Sequence, residues 1–271
     1  MRKEIVLPAV AVAGGAAGGG RRHWELASAF EADTGLPIAG APATLALIAL
    51  SGVVALVLAL LCRGKYPAFQ RYDQAFGAPG NTLYATAAVL SAFLLLGSAG
   101  LMVWDFLQGT DRVYTRLLVA ALSVVSFLCV LRTAQGNLKG QARGRFDLAL
   151  LIPAYTCCVW LIAAYQVRAG DPVQLDYVYE LFAIMAVLLG FYFDAGFSFA
   201  KGRPALAAFF SLLGAYFSLV TLADRHDLAT VLLYGFAIVY LLSSAAVLLY
   251  NSAHTVIEET DTDTEGTTPE S

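Results

Sequence analysis

The stretch DPVQLDYVYELFAIMAVLLGFYFDAGFSFAKGRP, residues 171–204, decides how the chain is read. Its uncharged core, residues 181–193, is bounded by Glu180 and Asp194. Thirteen residues of helix rise about 20 Å, against a hydrocarbon thickness of about 30 Å. A helix crossing a bilayer here must carry at least one carboxylate to hydrocarbon depth. Asp176, Glu180, Ala183, Val187, Gly190, Asp194 and Lys201 recur at steps of three, four or seven, along one helical stripe. A polar and small-residue stripe on a spanning helix is expected to face protein or water rather than lipid. The segment therefore reads as the interior helix of a membrane bundle.

Composition agrees. Hydrophobic residues make up 59% of the chain and charged residues 14%, against roughly 45–50% and about 25% in soluble domains. Further uncharged runs of bilayer length predict an all-α, polytopic transmembrane helical bundle of eight spans over residues 1–255. The spans are expected near 4–20, 43–62, 82–107, 116–132, 146–167, 175–200, 205–223 and 228–250. Residues 256–271 are acidic and rich in threonine, and are read as a disordered tail. The first segment has two readings. Its basic start and short apolar core suit a cleaved signal, which leaves seven spans. Its overlapping GxxxG pairs, Gly14/Gly18 and Gly15/Gly19, suit a retained helix that another helix approaches closely. Pro42, Pro79, Pro172 and Pro204 stand where spans begin, with Asp171 as a candidate N-cap.

Lysine and arginine counting orients the bundle in the plasma membrane. With both termini cytoplasmic, eleven basic residues fall inside and six outside (Arg21, Arg22, Arg112, Arg116, Arg168 and Arg225). Trp24, Trp104 and Trp160 all fall toward the outer side, where an interfacial belt places tryptophan.

The fourth span is as short as the sixth, with Arg116 and Arg132 at its ends. Both spans run from outside to inside. They are expected to be neighbours, with Arg116 near Glu180 and Arg132 near Asp194; the alternative is that both arginines snorkel to headgroups. Asp194 is either a site for reversible protonation or cation binding, or a structural group: half of a salt bridge, or a protonated, hydrogen-bonded acid. Ser198 lies one turn beyond it. Pro153 sits inside the fifth span and is expected to kink it, as in helices that line transporter sites and also in inert bundles.

Several function classes are excluded by missing residues. His23, His226 and His254 all lie outside the spans, so no pair clamps a haem within the bilayer. There is no HExxH, no GxSxG and no Walker A sequence, and no enzyme activity is expected. Cys62, Cys129, Cys157 and Cys158 form no CxxC pair; no metal or cofactor is implied. No basic block suits nucleic acid. The expected surroundings are the lipid bilayer and either a membrane-protein partner or a second copy of the chain. Two functions fit: permeation of a small solute or ion, or a non-catalytic subunit or sensor acting through helix contacts and the acidic tail.

Overall fold

The computed structural model describes residues 2–31, 33–64, 66–69, 71–109, 113–140, 147–170 and 173–265, with side chains described as far as residue 255. Nine α-helices are found among these residues: α1 (Lys3–Ser28), α2 (Pro42–Leu61), α3 (Tyr72–Phe76), α4 (Thr82–Gln108), α5 (Tyr114–Leu138), α6 (Ile152–Arg168), α7 (Gln174–Gly196), α8 (Pro204–Thr221) and α9 (Leu228–Glu265). Seven of them, α2 and α4 to α9, are long and apolar enough to cross a membrane, α6 together with the 3₁₀ turn that precedes it. The chain is an all-α polytopic membrane protein. The glycine-rich α1 is 26 residues long and packs into the same bundle against α8, α2 and α9.

The helix ends follow local chemistry. Pro42 and Pro204 occupy the first positions of α2 and α8, where a missing N–H costs nothing. Asn81 rather than Pro79 starts α4: its side chain accepts the Tyr84 backbone N–H. Gly109 ends α4 in the left-handed region, at φ 75°, a conformation that glycine adopts without a Cβ clash. Asp171 and Pro172, the proposed entry to α7, lie outside the described residues.

The helices form a closed circuit. α8 packs on α7, α7 on α6, α6 on α5, α5 on α4, and α4 on α9, which returns to α8. α1 lies against α8 and α9, and α2 is outermost, the least buried of the spans. α8 is the most buried, with α7 and α9 next. The α7 stripe turns inward from Glu180 through Ala183, Val187 and Gly190 to Asp194, as its spacing predicts. Close approach depends on small residues: a Cβ on Gly214 would lie 3.1 Å from the Val187 backbone nitrogen, and one on Gly190 3.3 Å from the Ser211 Cα.

Four expectations are corrected. α5 and α7 are not packed side by side, because α6 lies between them. Matched lengths did not identify neighbours, since any two short spans share that property. α5 also continues to Leu138, so Arg132 sits within the helix, on its exposed side. Pro153 does not kink a helix from within. The turn at Leu148–Leu150 comes first, α6 starts at Ile152, and the proline occupies its opening positions. Finally, α1 continues eight residues past the expected span, and α9 carries helical backbone to Glu265, through ten residues of the expected disordered tail.

Candidate functional site

The bundle has a proximal end, with Lys3, Arg63 and Asn251, and a distal end, where α1, α4, α6 and α8 finish. Asp194 lies near the proximal end of α7, where the sequence places it, and is buried. Its partner is Ser244 of α9, whose hydroxyl donates to Oδ2 at 2.7 Å, and not Arg132. Ser198 is also buried, but its hydroxyl accepts the Asp147 backbone N–H at 2.9 Å, joining the turn before α6 to the turn after α7. Asp194 lines none of the four cavities described in the bundle.

Polar groups concentrate at the distal end. A cavity of about 240 Å³ opens there between α4, α5, α6, α7 and the start of α9. Arg116, Arg168, Arg225, His226, Glu180 and Asp227 supply its charged and titratable lining. Met102, Val119, Trp160 and Ala163 supply an apolar part. Arg116 and Glu180 thus share a cavity, but each has a different partner from the one expected. Arg168 donates to Glu180 Oε2 at 3.3 Å and stands 3.8 Å from Asp176. Arg116 pairs with Asp227 at 2.5 Å. Arg225 has no hydrogen bond or ion pair among the described residues, and is exposed. Trp160 is buried, with its ring 4.9 Å from that of Tyr234, so it packs inside the bundle and does not join an interfacial belt. Beside it, Tyr234 is buried, and its ring lies 5.3 Å from that of His226.

A second cavity, about 570 Å³, adjoins the first. It is lined by Leu26, Phe30 and Thr34 of the α1–α2 connection, and by Asp176 and Asp224. Arg168 and Arg225 border both cavities. Two guanidiniums thus stand at the partition between the first cavity, the chamber, and the second.

Behind this entrance lies the charge cluster that sequence reasoning missed. Arg22 is fully buried in α1. It donates to Asp224 Oδ1 at 2.6 Å, Glu25 Oε2 at 2.7 Å and the carbonyls of Leu175 and Asp176 at 3.1 and 2.5 Å. Its guanidinium also lies 5.2 Å from the centre of the Tyr179 ring. Asp224 accepts the Thr221 hydroxyl, and the Thr221 carbonyl receives the Nε2 hydrogen of His226 at 2.9 Å. One hydrogen-bonded chain thus runs from Arg22 to the cavity wall. A signal was present: Arg22 and Glu25 are spaced i, i+3, and neither glycine nor proline occurs between residues 21 and 34 to end the helix.

Asp227 adds a pH-dependent tie. Burial pushes its carboxyl pKa up, but hydrogen bonds from Thr230 and Arg116 and the Arg116 charge outweigh this and hold it below the ordinary value. A depressed pKa contributes stability that is present above the unfolded-state value and lost as pH falls through the folded one. Asp227→Asn is expected to lower the thermal midpoint at pH 6 and to lose that deficit near pH 3. The pair is partly exposed, so its worth is below about 1 kcal/mol. A deficit unchanged with pH would exclude the tie.

Comparison of the chain with protein-family models, curated proteins and solved structures gives no match. Among the described residues no three histidines, cysteines or acids gather as a metal site needs. The chemistry on offer at the distal end is charge recognition by guanidinium groups beside an apolar surface.

Proposed function

We propose that the protein is a permease for a small solute, with the distal cavity as its binding site. The observation that carries this reading is the chamber itself: three arginines, His226, Glu180 and Asp227 share one lining with Trp160, Met102 and Val119, between membrane-spanning helices and the α8–α9 turn. Concave sites with an apolar lining and a few convergent polar groups are where small molecules bind. Positive-inside orientation puts the distal end outside the plasma membrane and the proximal end, with both termini, in the cytoplasm. The chamber is then the outward-facing half of a pathway. Asp194, with Ser244, is its proton-exchanging group at the opposite end. No bond-breaking chemistry is assigned.

The subunit or sensor reading rested in part on a glycine face free for a partner. The geometry favours permeation, because that face packs within the chain: Cβ atoms on Gly14, Gly15, Gly18 and Gly19 would meet Val54 of α2 and Tyr216, Leu219 and Val220 of α8 and its end.

Uptake into proteoliposomes tests the proposal, using a panel of small anions, cations and neutral solutes at equal concentration. At least one is expected to enter faster than into protein-free vesicles. Arg225→Ala and Asp194→Asn should each lower that entry about tenfold or more at equal protein incorporation, the loss expected when one charge-assisted contact goes. Entry of none, or entry indifferent to both substitutions, removes the permease reading.

A further inference from the structure

We infer that the chamber takes a small amphipathic monocarboxylate, an inference that rests on the distal cavity being a solute site. The first ground is charge. Three guanidiniums, those of Arg116, Arg168 and Arg225, line the chamber beside two carboxylates, those of Glu180 and Asp227.

The second ground is which cation is available. Arg116 is committed to Asp227, and Arg168 to Glu180 and Asp176. Arg225 stands at the partition with no partner among the described residues. A guanidinium presents parallel N–H donors that match the two oxygens of a carboxylate. A dianion would need a second guanidinium freed from its acid, which leaves a carboxylate uncompensated.

The third ground is size and the apolar part of the lining. At about 240 Å³ the chamber is smaller than pockets that hold drug-sized ligands. Its Trp160, Met102 and Val119 surface suits a short hydrocarbon or aryl group, which an inorganic monoanion would leave unused. The acid head and apolar body of a short monocarboxylate match the guanidiniums and the apolar part of the lining together.

Trp160 provides the readout. Trp24 and Trp104 are both exposed, so Trp24→Phe with Trp104→Phe leaves a protein whose one tryptophan lines the chamber. Its fluorescence is titrated at pH 8, where imidazole groups are neutral, with butyrate, butyramide, succinate and sodium nitrate. Butyrate is expected to give a saturable change. Butyramide, succinate and nitrate should each bind roughly tenfold to a hundredfold more weakly. Arg225→Ala should abolish the preference for butyrate over butyramide with an unchanged melting temperature, and Arg225→Lys should restore part of it. Asp227→Asn, which keeps a residue suited to helix capping, removes one negative charge from the lining and should shift preference toward succinate.

Equal binding of butyrate and butyramide, or of butyrate and succinate, overturns the monocarboxylate assignment and leaves the cavity as a solute site of another class. Nitrate binding as tightly as butyrate overturns the amphipathic part. If all four probes leave Trp160 unchanged, the monocarboxylate assignment falls. If a wider set of cationic and neutral solutes also leaves it unchanged, the distal cavity falls as a binding site.

Discussion

Arg22→Met is expected to destabilise the solubilised protein by about 3–5 kcal/mol, the cost of leaving buried acids without their cation. The side chains of Arg22 and Glu25 are fully buried and that of Asp224 nearly so. One Glu25 oxygen already has no hydrogen-bond partner among the described residues. Removing the guanidinium strands both carboxylates and frees two backbone carbonyls at the start of α7. It also unties α1 from α7 and from the α8–α9 turn at the same point. Arg22→Lys keeps the charge but cannot reach two carboxylates and two carbonyls together, so it should recover only part of the loss. The triple change Arg22→Met, Glu25→Leu, Asp224→Asn removes the charges as a set and is expected to lie closer to wild type than Arg22→Met alone. Denaturant or thermal unfolding of the four proteins measures this. Wild-type stability of Arg22→Met would show that the cluster is not the tie described.

The contrast between Arg22 and the spans shows what sequence could and could not reveal. Spans such as α2 and α4 were legible to within a residue, because lipid demands continuous apolar helix and proline, asparagine and glycine mark the ends. The inward face of α7 was legible from its stripe. Arg22 was not, because counting basic residues treats the end of a span as a loop, and α1 continues through it. The partner of Asp194 was hidden for another reason. Serines occur on many of these helices, and nothing local distinguishes Ser244 from the rest until α9 is placed beside α7. The distal chamber was half visible. Arg116 and Glu180 stood out as charges at span ends, and residues 224–227 as a polar turn. What joins them is the order of helices around the bundle, and that order depends on side-chain fit across lipid-facing segments, which no single stretch encodes.

Gly15→Leu is the second large effect, expected to destabilise by at least 1–3 kcal/mol through overpacking and to loosen α1 from α8. A Cβ at Gly15 would stand 2.6 Å from Leu219 Cδ1 and 2.7 Å from its Cβ, and one at Gly18 2.6 Å from Val220 Cγ2. The Leu219 Cβ cannot swing aside as a side-chain tip can, so the helices themselves must part. Parting them draws Arg22, seven residues further along α1, away from Asp224, which adds to the loss. The two glycine pairs do different work. Gly14 and Gly18 both meet Tyr216, Gly14 meeting Val54 of α2 as well, whereas Gly15 and Gly19 receive Leu219. A Cβ at Gly20 meets nothing within 4 Å, so Gly20→Leu is the internal control and should cost no stability, leucine being the better helix former. Glycines serving a second copy of the chain would give another pattern, with Gly15→Leu altering oligomeric state while the monomer stayed as stable as before. Unfolding and light scattering on the same two variants separate these outcomes: packing within the chain requires lost stability at Gly15, none at Gly20, and an oligomeric state that neither substitution changes at permissive temperature.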